Sequence, residues 1–476
     1  MHAESTTRNT RGADAARTAN RRRCLAACAA ASIFAAALAP TASAQETDRP
    51  LAWNLADQVA PIFNTLDAGF PGRLLIIGDS ISFRTESWHR RLQDRFWDDF
   101  GIAGDGYRAF SNGFGSPQFI GDDRPLLNGT WGGGADNIIR ARVSGTRLND
   151  VEGNPQPYGL YSPDGIYTRL KDAGEFRLDV YATGIILHHL VFPGGGDIQL
   201  YINDELYFTI PTHADTPDNE PRHAATTIAI PQTTPTPTRV VFTSADERWI
   251  QINGADMLDA GSPGFTMLRV ARGGAGPEDF ILSDNPAAND QLATLDPDLV
   301  IVMLDSNVGR VGPLYEDDMN AYLDIVQAAL PGVPLILQSH HPAQSRHDDE
   351  SSTLLTLARQ RDLGYINLAD TYDDLAAMRD AGLMADNIHF TLEGGNTFGD
   401  LVYDLLSSAA RCPGDLDFNG QIEFFDLLAY LNDFDNNLPS ADLAANAPGQ
   451  PALDFFDVLA FFNLLEQPCD RPPVGL

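Results

Sequence analysis

Leu74-Leu75-Ile76-Ile77-Gly78-Asp79-Ser80-Ile81-Ser82 is the stretch whose reading decides the fold. Four consecutive apolar residues read as a strand buried on both faces, and Gly-Asp-Ser is turn chemistry. Trp88, Leu92, Phe96 and Phe100 then recur every four residues, the stripe of an amphipathic helix. Strand, polar turn and helix in that order open a parallel α/β sheet. A serine at the carboxyl end of such a strand faces the open crevice of the sheet. Its backbone N–H, at a helix N-terminus, points where an oxyanion would form.

Moving outward along the chain, the texture changes twice. From about Trp131 to Met267, short Val-, Ile-, Tyr- and Thr-rich stretches alternate with Gly and Pro turns, which reads as a β-sandwich. Helix and strand alternation then returns. Leu299 to Leu304, Pro334 to Gln338 and Gly364 to Leu368 read as strands; Asp318 to Leu330, Thr353 to Arg361 and Gly394 to Ala409 read as helices. The expected architecture is therefore α/β, a three-layer α/β/α parallel sheet interrupted by a β-sandwich. The expected limits are an export signal at 1–44, a first α/β segment at 45–130, the sandwich at 131–267, a second α/β segment at 268–410 and a small tail module at 411–470.

The first 44 residues predict cleavage and export. Arg21, Arg22 and Arg23 precede an Ala-rich apolar run, and Ala42-Ser43-Ala44 matches a signal-peptidase site. The full chain carries 32 basic and 65 acidic residues, a formal charge of -33, and Lys171 is its single lysine. Such a surface repels phosphate backbones and anionic membranes, so neither nucleic acid nor membrane is an expected partner. Cys24 and Cys28 leave with the signal. Cys412 and Cys469 bracket the tail and are expected to form one structural disulfide outside the cell.

Three further segments supply what a serine nucleophile needs. Asp386-Asn387-Ile388-His389 puts a carboxylate and an imidazole on one turn, so that the Asp can hold the His tautomer while the other ring nitrogen takes the serine proton. Asp305-Ser306-Asn307 ends a strand, and an Asn amide there can donate to an oxyanion. Gly273-Gly274-Ala275-Gly276 follows another strand and allows a backbone N–H close approach. Ser262, within Ala260-Gly261-Ser262-Pro263-Gly264, is a rival nucleophile, but Pro263 and Gly264 stand where a helix should begin, and the segment reads as a turn. His340 and His341 are candidate metal ligands, but on an extended chain adjacent side chains point apart; one of them lining the cleft is the better reading, with solvated loop residues the alternative.

The order Gly-Asp-Ser, glycine turn, Pro-Asp-Leu-Val strand with Asn, then Asp-x-x-His with Thr-x-Glu-Gly resembles the four blocks of the SGNH/GDSL hydrolases. The resemblance implies Ser80 as nucleophile and oxyanion donor, Gly276 (with Gly274 as the other alignment) and Asn307 as further donors, and Asp386 and His389 as the other two members of the triad. It implies no cofactor for catalysis. The third block of the family reads Gly-x-Asn-Asp, whereas here Asp305 replaces the glycine and Val308 the final aspartate. A charged Asp305 would oppose an oxyanion unless it points away or pairs with Arg310. The segment Gly78 to Gly106 also resembles peptidoglycan O-acetylesterases of this superfamily.

Ile422-Glu-Phe-Phe-Asp-Leu-Leu-Ala-Tyr-Leu-Asn is repeated from Leu453, 31 residues on. Before its first helix, Asp415, Asp417, Asn419, Gln421, Glu423 and Asp426 fill a twelve-residue loop with Gly420 at the sixth position, the pattern of a Ca²⁺ loop. The segment resembles a dockerin-type module, which implies structural Ca²⁺ and a protein or cell-surface partner. The expected function is a secreted esterase acting on acyl esters, acetyl foremost, of a carbohydrate. The competing expectation is a glycan-binding protein on a decayed hydrolase scaffold.

Overall fold

The computed structural model describes residues 49–464 apart from 85–86, 111–129, 133–137, 145–146, 151–160, 173, 217–219, 233–234, 260, 308–311, 343–346, 413, 417–420, 436–452 and 454. The export signal expected at 1–44 lies outside the described residues. Pro50 to Leu476 forms one compact unit.

Its centre is a parallel sheet of five strands in the order Gly364–Ile366, Leu335–Gln338, Leu299–Met303, Gly72–Gly78 and Phe265–Ala271. Side chains alternate between its faces. Leu74, Ile76, Leu299 and Ile301 pack with the helices Leu55–Asp67, Trp88–Phe100 and Leu392–Arg411. Leu75, Ile77, Val300 and Val302 pack with Pro313–Ala329 and His347–Arg361 on the other side. This makes three layers, α/β/α, as the apolar runs imply. Gly399 is what lets the last of these α/β helices cross Trp88–Phe100 closely: a Cβ there would stand 2.4 Å from the Trp88 carbonyl oxygen.

Register decides where the site lies. Gly78 is opposite Met303 on one side and Ala271 on the other. Three loops, those carrying Ser80, Asn307 and Gly273, therefore leave the sheet at one level of its carboxyl edge.

Met267 lies inside the Phe265–Ala271 strand, which pairs in parallel with Gly72–Gly78, so the limit expected at 267 falls within the parallel sheet. The β-rich region is also less separate than its composition suggests. Gly106–Ala109 joins the edge of Phe265–Ala271 and pairs in turn with Ile250–Leu258, so the parallel sheet runs on into antiparallel strands. A second, five-stranded antiparallel sheet covers that extension. Between them Phe176, Leu178, Leu187, Leu200, Val240, Phe242 and Ile252 form a dry core, the interior of a sandwich. In the tail, helices Phe424–Asp435 and Phe455–Leu464 stack Tyr430 on Phe461, equivalent positions of the repeat, at 4.3 Å between ring centroids.

Candidate functional site

Ser80 is the first residue of a short helix, Ser80–Phe83, capped by Asp79, whose carboxylate accepts from the Ile81 N–H at 2.8 Å. This fixes the turn after the strand and leaves the Ser80 hydroxyl at the crevice.

His389 comes from the loop before the helix Leu392–Arg411. Ala385 N–H donates to the His389 carbonyl at 2.8 Å and Thr391 N–H to the Leu383 carbonyl at 2.9 Å, closing the loop on itself. Thr391 caps the helix by accepting from Gly394 N–H at 3.1 Å. Within this loop one Asp386 oxygen accepts from the N–H groups of Ile388 and His389, both at 2.7 Å. Its other oxygen is 2.8 Å from His389 Nδ1, and His389 Nε2 is 3.0 Å from Ser80 Oγ. An ionised carboxylate only accepts, so Nδ1 carries the proton and Nε2 is free to accept from the serine. Partial burial pushes the Asp386 carboxyl upward, but the bonds from His389 and Ile388 outweigh it and hold the group well below the usual carboxylate range. The structure thus brings together three side chains that lie 309 positions apart at most.

A second chain of bonds holds the Asn307 side of the crevice. Ser306 Oγ donates to Asp79, and Asn307 Nδ2 donates to Ser306 Oγ at 3.0 Å. Asp79 is fully buried; burial raises its carboxyl to about 6, against the opposing bonds from Ser306, Ile81 and Asn307. Asp79 therefore ties the nucleophile's turn to the Asn307 loop across two strands. Nothing in the serine motif alone indicates this; the sequence signal is only that Asp79 precedes Ser80 and Ser306 precedes Asn307.

Two expectations change. Gly276 N–H is engaged, donating to Asp279 at 3.1 Å in the first turn of Pro277–Ile281, so it is not poised over the serine. Gly273 is nearer: a Cβ built on it would meet the Ser80 Cβ at 3.9 Å. Gly274, at φ +72° with open space around it, holds a backbone conformation that favours glycine. His340 and His341 do not point apart or reach solvent. Both are buried and their rings stack at 3.9 Å, because the strand has ended at Gln338 and the pair no longer alternates. His341 packs on Phe390 at 4.1 Å, making the wall behind His389.

Asp305 is also buried, and it faces away from the crevice, accepting from the His340 N–H at 2.8 Å. Burial foremost, with the neighbouring Asp79 and Glu350, raises its carboxyl to about 8 against that bond. This burial favours the protonated, neutral form, which weakens the repulsion that the sequence raised. Arg310 lies outside the described residues. Ser262 sits in a turn, its hydroxyl donating to Asp259 at 2.8 Å.

Ser80, Ile81, Arg84, Ser87, His389 and Phe390 line a shallow, open depression at the crevice. Among the described residues no group of three or more His, Cys, Asp or Glu side chains is arranged to hold a metal. Of the expected calcium loop, Asp417 and Asn419 lie outside the described residues, and Gln421 and Glu423 are exposed. Asp415 is buried, as is Asp426, whose two oxygens accept from the N–H groups of Leu416 and Glu423 at 2.7 and 2.8 Å. Cys412 is buried at the end of the last α/β helix, and its expected partner Cys469 lies outside the described residues.

Among solved structures, this chain is similar to a peptidoglycan O-acetylesterase: TM-score 0.57, 15% identity, covering 76% of this chain and 99% of that one. The two share their fold, an α/β architecture with a mainly parallel central sheet. Fainter matches are a GDSL-like lipase from Bacteroides ovatus (TM-score 0.25, 11% identity, 50% and 84% covered) and a family two carbohydrate esterase from Cellvibrio japonicus (TM-score 0.25, 10% identity, 60% and 99% covered). No protein-family model matches the chain, and no curated protein matches it. No helix among the described residues is long and apolar enough to cross a membrane.

Proposed function

We propose that the chain is an exported serine esterase that removes small acyl groups, acetyl foremost, from a carbohydrate. The observation that carries this reading is the bond chain from Asp386 through His389 to Ser80, at 2.8 and 3.0 Å, on the carboxyl edge of a parallel sheet. The fold shared with a peptidoglycan O-acetylesterase supports an ester of a sugar as substrate.

In this mechanism Ser80 Oγ attacks the acyl carbon as His389 Nε2 takes its proton, and the carbonyl electrons move onto the oxygen. Ser80 N–H, the Asn307 amide and a glycine N–H of the 273–274 turn stabilise that oxyanion. The tetrahedral species collapses, the sugar oxygen leaves with the proton from His389, and the acyl group stays on Ser80. Water, deprotonated by His389, then attacks the acyl-enzyme and releases the acid. No cofactor enters these steps. For the tail we propose attachment to a protein or cell surface, with Ca²⁺ structural and the Cys412–Cys469 disulfide closing the module.

The competing binding-protein reading draws on a charged Asp305 opposing the oxyanion, and the burial of Asp305, which favours its neutral form, weakens that support. The test is acetate release from p-nitrophenyl acetate and from acetylated xylan and peptidoglycan by the wild type and Ser80→Ala. Release by the wild type alone is expected; equal release by Ser80→Ala would remove Ser80 as nucleophile.

A further inference from the structure

Among the described residues that line the cleft, Arg84 is the one arginine or lysine. It follows the nucleophile's own turn, its N–H donating to the Ser80 carbonyl at 3.1 Å, and its side chain lines the space in front of Ser80 and His389. The side chain is 44% exposed and stands 3.9 Å from Asp386, outside hydrogen-bond range. Several other arginines of this acidic chain are directly bonded to carboxylates, among them Arg73 to Asp256 at 2.6 Å, Arg95 to Asp400 at 2.6 Å, Arg361 to Asp324 at 2.8 Å and Arg272 to Asp279 at 3.1 Å, whereas Arg411, like Arg84, stands 3.9 Å from its carboxylate, Asp67. What sets Arg84 apart is its place: a half-exposed guanidinium without a hydrogen-bonded carboxylate stands beside Ser80 and His389 in a chain with 65 acidic residues against 32 basic ones.

We infer that Arg84 forms a subsite for a carboxylate carried by the glycan beside the scissile ester, so that the substrate is an acyl ester of an acidic sugar. This rests on the esterase reading of the same site. The planar guanidinium presents a fork of donors that matches a carboxylate in two parallel bonds, whereas a neutral sugar offers it only hydroxyls. Repulsion from the acidic surface beyond about 8 Å is screened at physiological salt, and the near carboxylate, Asp386 at 3.9 Å, is already engaged by the N–H groups of Ile388 and His389 and by the His389 ring. The carboxylate has two sources, the ring carboxyl of a uronic acid or a carboxyl of a muramyl peptide.

The experiment measures kcat/KM for acetate release by wild type and Arg84→Gln. Substrates are O-acetylated oligogalacturonate, the same oligomer with its carboxyls methyl-esterified, O-acetylated muramyl peptide and acetylated xylo-oligosaccharide. The wild type is expected to favour one of the two acidic substrates over the neutral ones by about tenfold, and Arg84→Gln to bring that ratio close to one. Which acidic substrate shows the preference identifies the source. A ratio that Arg84→Gln leaves unchanged, through equal losses on all substrates, would make Arg84 a support for Asp386 and overturn the inference. So would a wild type that does not distinguish the free carboxyl from its methyl ester, a comparison that holds even if the variant fails to fold. Failure to release acetate from any substrate, p-nitrophenyl acetate included, would instead overturn the esterase reading beneath it.

Discussion

At the scale of single residues the proposed mechanism separates the site into groups that would react and groups that hold them. Loss of Ser80 or His389 to Ala is expected to lower kcat about 10⁶-fold and Asp386→Asn about 10⁴-fold, by analogy with serine-protease triads, measured on p-nitrophenyl acetate. Asn307→Ala removes one oxyanion donor and is expected to cost about 10²-fold or more in kcat with little change in KM. Asp305 gives a prediction with a sign. Its carboxyl keeps a proton in the folded chain up to about pH 8, whereas an unfolded Asp releases it near 3.9. Between those values the folded chain binds more protons, so the contribution of Asp305 to stability falls as pH rises through the window. Asp305→Asn is neutral throughout and can still accept from His340. Its Tm relative to wild type is expected to climb from pH 5 to pH 8, and a flat difference would contradict the buried acid. Ser80, Asp386 and His389 are legible in the sequence because each lies in a short motif whose chemistry is local. The Asp79–Ser306–Asn307 chain is not, since it exists only once two strands are in register. The choice among Gly273, Gly274 and Gly276 is equally hidden, because it turns on which N–H Asp279 engages.

At the scale of elements, periodicity identifies the long apolar strands and the Trp88–Phe100 helix closely, because there one pattern dominates. It does not reveal the helix Leu55–Asp67, where Pro61 sits inside the helical stripe, or the continuity of Gly106–Ala109 with both sets of strands. Pairing between distant strands leaves no local trace. The same holds for the close helix crossing at Gly399. Gly399→Ala places a Cβ 2.4 Å from a backbone oxygen of Trp88, so the two helices must move apart. Thermal unfolding is expected to show a loss of about 1 to 3 kcal/mol, against the gain that Gly to Ala brings in an open helix. Since Leu392–Arg411 begins directly after the His389 loop, the same variant is expected to lower kcat. An unchanged Tm would mean that the two helices do not touch at Gly399.

At the scale of the whole molecule, charge is the feature composition makes plainest and fold the feature it leaves most open. A formal charge of -33 means that unscreened self-repulsion works against compactness. The Tm is therefore expected to rise as NaCl increases from about 10 mM to about 0.5 M, where the screening length shrinks from about 30 Å to a few ångströms. A Tm that falls with salt would mean that attractive pairs dominate the surface. The central claim remains the meeting of strand end and distal loop at one hydroxyl, and covalent labelling tests it most directly. Reaction of the folded protein with a p-nitrophenyl phosphonate, followed by peptide mapping, is expected to place one adduct on Ser80 and none in His389→Ala. An adduct on another serine such as Ser262, or labelling of Ser80 that does not depend on His389, would contradict the account.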